Sequence, residues 1–301
     1  MLPLIHTIIL NTNRRDDTLA CVASLAASDY PAERHQITVL DNASTDGSVM
    51  ALREQFPQVR IVELTENLGY AGNNNVGIEL AVSAMADWIF VLNEDTTVDS
   101  NCLSEMMAVA QTDPTIGVLG PMVYHYDEPT IIQSAGGYLD RFWESYHIAE
   151  NEPDEGQFTE LHTVDWISGC AIMMRREVVE QVGALDGRFF YYWEETEWCI
   201  RAARAGWQII HVPQAKLWHK GVQRNYQPKP SVTYYRTRNQ LLTLARHRAP
   251  LLAWTVTLAQ IGRTLTSWTV KPRWRHMRPH RDAMWQGVVD FARRRYGMRP
   301  S

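Results

Sequence analysis

Acidic residues all but vanish from the C-terminal part of this chain. Lys220 to Ser301 carries 17 Lys and Arg against two Asp, a net of +15, whereas Met1 to His219 carries 12 basic and 32 acidic residues, a net of −20. The overall charge of −5 therefore hides two parts of opposite sign, which points to different partners for each. Paired cysteines are missing too. Cys21, Cys102, Cys170 and Cys199 are scattered with no C-x-x-C, which argues against a zinc site or a disulfide framework and fits a reducing compartment. The opening "MLPLIHTIIL" lacks a basic n-region, and its apolar run is too short for a signal peptide, so it predicts a first β-strand in a cytoplasmic protein. Neither G-x-G-x-x-G nor G-x-x-x-x-G-K-[ST] occurs, so nothing favours a Rossmann-type dinucleotide site or a P-loop. The chain has no internal repeat and no low-complexity tract.

What is present is a globular composition, with 45% hydrophobic and 21% charged residues in 301, enough for one large domain with or without an appendage. Eleven Trp and twelve Tyr serve either as core or as platforms for sugars and interfaces. Up to about residue 120, apolar runs alternate with helical stretches: "LIHTIIL", "DTLACVASLAAS", "ITVLD", "RIVEL", "GNNNVGIELAVSAM" and "WIFVLNED". That order predicts an α/β fold with a mostly parallel central sheet flanked by helices. Ligands bind outside the carboxyl ends of such strands, and the polar clusters "NTNRR", "DNASTDGS", "ENLGYAGNNN" and "NEDTT" fall there. Further on, "TIIQSAGGYLDRFW" reads as a hairpin, "NEPDEGQ" as an exposed loop, and "VDWISGCAIMMRREVVEQVG" as a strand running into a helix. A boundary near 220–230, at "QPKP", separates residues 1–225 from a basic helical extension over 226–301.

Each polar cluster admits two readings. "DNASTDGS" is a turn with a helix cap, or a grip for base and ribose through Asp41 and Asp46. "ENLGYAGNNNVG" is an Asn-rich loop capping a helix, or a phosphate contact in which Gly69 and Gly72 admit the ligand closely. "NEDTT" is a solvated loop, or the carboxylate anchor of a hard cation such as Mg²⁺ or Mn²⁺, with Asp95 beside Asn93 and Glu94. In "FFYYWEETEWCIRAARAG", Glu194, Glu195 and Glu197 crowd one helix start. This favours a helix terminus, or raises one carboxyl's pKa into the range of a base; Arg201 can pair with Glu197. His219 in "LWHKG" is a cation ligand or a satisfied histidine.

Taken in order, "NTNRR", "DNASTDGS", "ENLGYAGNNNVGI", "LNEDTTV", "SGCAIMMRREVVEQVGALDGRFFYYWEETEWCIRAARAG", "VPQAKLWHKG" and "YYRTRNQL" resemble the family-2 glycosyltransferases of GT-A fold, rhamnosyltransferase-like branch, over about 1–245. The resemblance implies a nucleotide-binding part over 1–98 and an acceptor-binding part over 99–225. On the nucleoside it places Asn13, Asp41 and Asp46, with Thr12, Arg15, Asn42 and Ser44 around them. Asn67, Gly69 and Asn74, with Tyr70, Asn93 and Glu94, fall on the diphosphate and donor sugar. Asp95 matches the metal-binding Asp of the DxD-like motif, whose first position is here Asn93. His219 matches a histidine that reaches the metal in some members. Glu195 stands where the family usually has a catalytic Asp, so "EE" replaces the usual "ED" and leaves Glu194 as the competing base. Trp166, Ser168, Gly169, Tyr192 and Trp193 match the acceptor side.

The implied reaction is inverting transfer from a dTDP-, UDP- or GDP-linked sugar to a hydroxyl of a glycan or lipid-linked acceptor, with a Mg²⁺ or Mn²⁺ cofactor. Two other classes compete: a nucleotidyltransferase, although "NTNRRDD" lacks the Gly-rich loop it needs, and a non-catalytic sugar-nucleotide binding protein. In the extension, Leu251, Trp254, Leu258, Ile261, Leu265 and Trp268 make one apolar stripe on a helix too polar to span a bilayer. With "KPRWRHMRPHR" after it, the stripe fits peripheral contact with anionic lipid, or packing on the catalytic domain or a second subunit in a homodimer. No nucleic-acid-binding module is recognisable, and no nucleic-acid partner is expected.

Overall fold

The computed structural model describes residues 2–221 and 226–299. The first half alternates as expected: β1 (Ile5–Asn11), α1 (Arg15–Ala26), β2 (His35–Asp41), α2 (Ser48–Gln55), β3 (Arg60–Glu63), α3 (Gly69–Ser83) and β4 (Trp88–Asn93). Then come β5 (Thr96–Val98), α4 (Cys102–Ala110), β6 (Ile116–His125), β7 (Ile132–Ser134), β8 (Gly137–Leu139), β9 (Ser145–His147) and β10 (His162–Thr163). β11 (Ala171–Arg175), α5 (Arg176–Val182), α6 (Glu194–Arg204) and β12 (Gln208–His219) complete the body. The extension holds α7 (Pro230–Arg246), α8 (Leu251–Val270), a 3-10 turn at Pro272–Met277 and α9 (Arg278–Ala292). The expected boundary at 225/226 adjoins 222–225, which lie outside the described residues.

The main sheet runs β10-β12-β6-β11-β4-β1-β2-β3. Strands β3, β2, β1 and β4 are parallel, as the helical crossovers between them require. Beyond β4 the sheet is mixed. β11 arrives from a long irregular segment rather than a crossover helix, and it inserts antiparallel between β4 and β6. β12 then returns parallel to β6. The hairpin expected over 130–143 forms as β8 and β9, centred a few residues later.

Strand β4 shows why "WIFVL" is continuously apolar. Trp88, Phe90 and Leu92 pack into the core that holds α1 and α4, whereas Ile89 and Val91 pack into the opposite core with α3 and α6. A strand covered on both faces needs no polar alternation. Strand order reverses around β1, which has β2 on one side and β4 on the other, and Leu10 stands in register with Asn93. A crevice opens at the carboxyl ends of strands at such a point.

The extension is bolted to the body through α7. Arg238, fully buried, donates to the carbonyls of Arg188, Phe189 and Gly297. α8 is different, because only its Ala253 and Thr257 are buried. The expected stripe is half covered: Trp254 packs against Phe291, but Leu251 and Leu258 are 78% and 49% exposed. Among the described residues, no helix is long and apolar enough to cross a membrane. All four cysteines are free and buried.

Candidate active site

The crevice between the ends of β1 and β4 deepens into a cavity of about 520 Å³. Leu10 and Thr12 line it from β1, Asn93, Glu94 and Asp95 from β4, and His219 from the end of β12. Asn67, Gly69 and Tyr70 enter from the start of α3, and Glu194 and Glu195 from the start of α6. Five regions far apart in sequence thus meet in one space.

At its floor, Asp95 is 6% exposed, and its Oδ1 stands 3.1 Å from His219 Nε2. The other ring nitrogen, Nδ1, faces Gln133 Oε1 at 2.7 Å. An amide oxygen only accepts, so Nδ1 carries the proton, and in the neutral ring the Nε2 lone pair points at the carboxylate. Asn93 Nδ2 lies 3.4 Å from the same Nε2, as a donor to that lone pair. Burial opposes ionisation of Asp95, yet a hydrogen bond and positive charge from His219, when Nε2 carries a proton, together with the Arg14 guanidinium, hold its pKa below the usual carboxylate range; a cation in the gap takes the place of that proton. Gly221 borders the gap, and a Cβ there would fall 2.8 Å from His219 Nε2 and 2.9 Å from Asp95 Oδ2. Two converging acceptors, an orphaned Oδ1 and a cradle kept open by a glycine fit a divalent cation. Among the described residues, no group of three or more His, Cys, Asp or Glu forms a complete cage. A cation held here would therefore need oxygens from a substrate or water as well.

Across the cavity, Glu194 is buried with Oε2 lacking any partner, and burial with the Glu195 charge pushes its pKa far up. Glu195 is less deeply set. Burial pushes it up to about 7, with its own and Thr196's backbone amides and the Arg236 charge holding it back. A carboxyl poised there can take a proton at neutral pH. Gly169 faces it, since a Cβ would stand 3.7 Å from Glu195 Cδ and 3.5 Å from Tyr70 Oη. The Tyr70 hydroxyl donates to the Gly169 carbonyl, fixing that wall.

The turn into α6 is strained. Phe190, Tyr192 and Trp193 have φ of 64°, 68° and 75°, where residues with side chains seldom sit. Asn239 holds this turn, its side-chain nitrogen donating to the carbonyls of Phe189, Tyr191 and Tyr192 at 2.8 Å each. Arg238 adds two more bonds to Arg188 and Phe189. Strain of this kind persists only where surroundings overdetermine it. The "RN" of "YYRTRNQL" therefore aims the pair Glu194 and Glu195, a role the sequence did not disclose.

Other expected site residues fall outside the cavity lining. Asp41 is 2% exposed and accepts from Asn11 Nδ2 at 2.7 Å and from the Ser44 amide at 3.0 Å. Ser44 in turn accepts from the Asn13 amide, Asn13 Oδ1 accepts from Thr45, and Asp46 accepts from the Arg15 amide. These bonds latch the loop after β1 to the loop after β2, and Thr12 and Asn42 of the same loops face the cavity. Arg14 lines the cavity 3.7 Å from Asp95, where Arg15 was expected. Asn74 points into α3 and bonds the Tyr70 carbonyl, so Asn73, one residue earlier, takes the cavity position. Trp166 and Trp193 are core: Trp166 packs edge-on against His147, and Trp193 lies with Phe189 and Leu242. Ser168, Gly169 and Tyr192 do line the cavity, with Tyr191, Phe190, His147 and Glu150 as unforeseen neighbours. Gly69 has φ +75°, and a Cβ on it would strike the Phe190 carbonyl at 2.4 Å, so its freedom serves packing of the strained turn. Glu197 is structural, bound to Arg201, Arg246 and His247.

The sequence matches the family described as "Glycosyl transferase family 2" over residues 7–183, more than half the chain. Among curated proteins it is 29% identical to an N-acetylglucosaminyl-diphospho-decaprenol L-rhamnosyltransferase of Mycobacterium tuberculosis, covering 77% of this chain and 83% of that protein. It is 24% identical to dTDP-rhamnosyl transferase RfbF of Shigella flexneri, over 84% and 86% of the two chains. Among solved structures it superposes on mannosyltransferase PcManGT from Pyrobaculum calidifontis, in complex with GDP-Man and Mn²⁺, with TM-score 0.60 at 16% identity, covering 97% and 88%. That likeness shows the GT-A fold.

Proposed function

We infer the chemistry from one premise: this chain belongs to glycosyl transferase family 2 and is a glycosyltransferase of its rhamnosyltransferase-like branch, acting in glycan biosynthesis. The proposed reaction is metal-dependent, inverting transfer of a sugar, rhamnose first among the candidates, from a nucleoside diphosphate to a hydroxyl of a lipid-linked or other glycan acceptor. The observation that carries it is that the Asp95–His219 gap and the Glu195 carboxyl open onto the same cavity.

Thr12 and Asn42 lie where a nucleoside would enter, and Arg14 where phosphate charge would collect. Asp95 and His219 would hold Mg²⁺ or Mn²⁺, which when bound supplies positive charge to the departing diphosphate. On the acceptor side, Glu195 accepts the proton of the attacking hydroxyl, and Glu194 stays protonated beside it. Gly169 leaves room for the acceptor in front of Glu195, and Tyr192 shapes the mouth. Attack from the face opposite the leaving group inverts the anomeric centre. In this scheme residues 1–225 carry the catalysis and 226–301 brace its base and meet the acceptor's surroundings. A reducing cytoplasmic setting agrees with four free, buried cysteines.

The test is nucleoside diphosphate release from dTDP-, UDP- and GDP-sugars with Mn²⁺ and a lipid-linked glycan, with NMR of the new linkage. Release from one donor with inverted anomeric configuration is expected; retention, or no release with any donor, refutes the reading. The M. tuberculosis relative is named for a diphospho-decaprenol acceptor and the S. flexneri relative for dTDP-rhamnose, which sets the first pair to try.

A further inference from the structure

The molecule has a second large cavity, about 710 Å³, at the C-terminal end of α8 where the chain turns into the 3-10 segment. Arg263, Ser267, Trp268, Lys271, Arg273 and Trp274 line it. Arg273 lies over the Trp274 ring at 5.3 Å from its centroid. None of Arg263, Lys271, Arg273, Arg275 or Arg278 makes an ion pair among the described residues. The two acids of the extension are taken: Asp290 is buried against Tyr234, and Asp282 pairs with Arg281. Along α8, which leads into this basic groove, Leu251, Leu252, Leu258 and Val270 stand exposed, at 78%, 54%, 49% and 71%.

We propose that the groove is a binding site for the phosphate of an anionic phospholipid headgroup, and that it seats α8 along a bilayer surface with its exposed leucines in the acyl boundary. A helix too polar to span, carrying apolar residues beside Arg, Lys and Trp, lies in the interface plane. Charge complementarity selects this occupant. A second copy would bring the same unpaired cations against themselves across a two-fold axis, where like charges repel. An anionic bilayer meets those cations and the leucines together. The inference goes beyond sugar transfer and does not depend on it, because vesicles alone test it.

The experiment is flotation of the full chain with vesicles of phosphatidylcholine alone or with added phosphatidylglycerol, at low and physiological salt. Wild-type protein floats with the anionic vesicles, less so at higher salt, and stays behind with neutral ones. The triple variant Arg263→Glu, Lys271→Glu and Arg273→Glu loses binding by about a hundredfold, at roughly fivefold per cation. Leu251→Asn with Leu258→Asn loses it without any change of charge. All five side chains are exposed, and an unchanged melting temperature verifies the fold of both variants. Equal binding to neutral vesicles, or anionic binding untouched by the triple variant, overturns the proposal. So does a concentration-dependent dimer that the leucine variant dissolves while vesicle binding is absent.

Discussion

His219 Nε2 and Asp95 Oδ1 face each other at 3.1 Å, with the opposite ring nitrogen of His219 occupied by Gln133. Two acceptors so placed want a cation between them, and Gly221 is the lid of that gap. Gly221→Ala puts a methyl group within 2.9 Å of both ligands and should weaken Mn²⁺ binding by at least about tenfold, or roughly 1.4 kcal/mol, while leaving the fold intact. Isothermal titration with Mn²⁺ and a nucleoside diphosphate reads this directly. An unchanged affinity would place the ion elsewhere.

The two glutamates at the start of α6 predict a pH profile. Glu195, raised to about 7, must be proton-free to act, so kcat should climb as pH rises through about 7 and level off above it. Glu195→Gln should remove that limb and lower kcat by roughly 10²- to 10⁴-fold while donor affinity holds. The same shift has a stability consequence. The folded state favours the protonated carboxyl, so stability falls as pH rises from about 4.5, the unfolded value, to about 7, then stays level. Glu194→Gln, which deletes the more strongly raised neighbour, should therefore melt higher than wild type at pH 8.

Asn239 is a positioning residue for the same pair. Asn239→Ala frees the carbonyls of Phe189, Tyr191 and Tyr192 and should relax the strained turn. A shift near 1 Å in the base costs about a hundredfold in kcat, whereas donor affinity at the far wall should change little. Thermal denaturation should show a loss of about 1–3 kcal/mol from the unpaired buried groups. A split between kcat and donor Kd separates this from general destabilisation.

Glu197 tests the bracing of α6 to α7. It is 0% exposed and bound to Arg201, Arg246 and His247. Burial pushes its pKa up, but those partners outweigh it and hold the pKa below 4.5, so its contribution is present above that pH and fades on further acidification. Glu197→Gln takes the counter-charge from Arg201 and Arg246, which solvent still reaches, and should cost about 1–3 kcal/mol at neutral pH. Denaturant melts at pH 7 check it.

Much of this was legible in the sequence because local chemistry and topology agree. The alternation up to β4 announces parallel strands, and polar clusters at strand ends announce the crevice. Asp95 was singled out that way, whereas Glu195 and Gly169 came from the family resemblance; all three line the cavity with His219. The rest depended on facts that spacing does not carry. Whether Arg14 or Arg15, or Asn73 or Asn74, faces a ligand turns on the rotation of one helix start. Asp41 and Asp46 have the residue types of a ribose grip, and spacing does not show that they also hydrogen-bond between two loops. Gln133 and Asn239 act across more than forty residues of sequence, as does Gly221 on Asp95, so no local window shows these contacts. The half-covered α8 stripe is likewise ambiguous, since a helical period reads the same against protein or lipid.

The most direct test of the central claim is Mn²⁺ affinity by electron paramagnetic resonance, in the presence of a nucleoside diphosphate, for wild type and Asp95→Ala. The account predicts a bound-ion signal that depends on the nucleotide and is lost in the variant. Tight, nucleotide-independent Mn²⁺ binding that survives Asp95→Ala would contradict it.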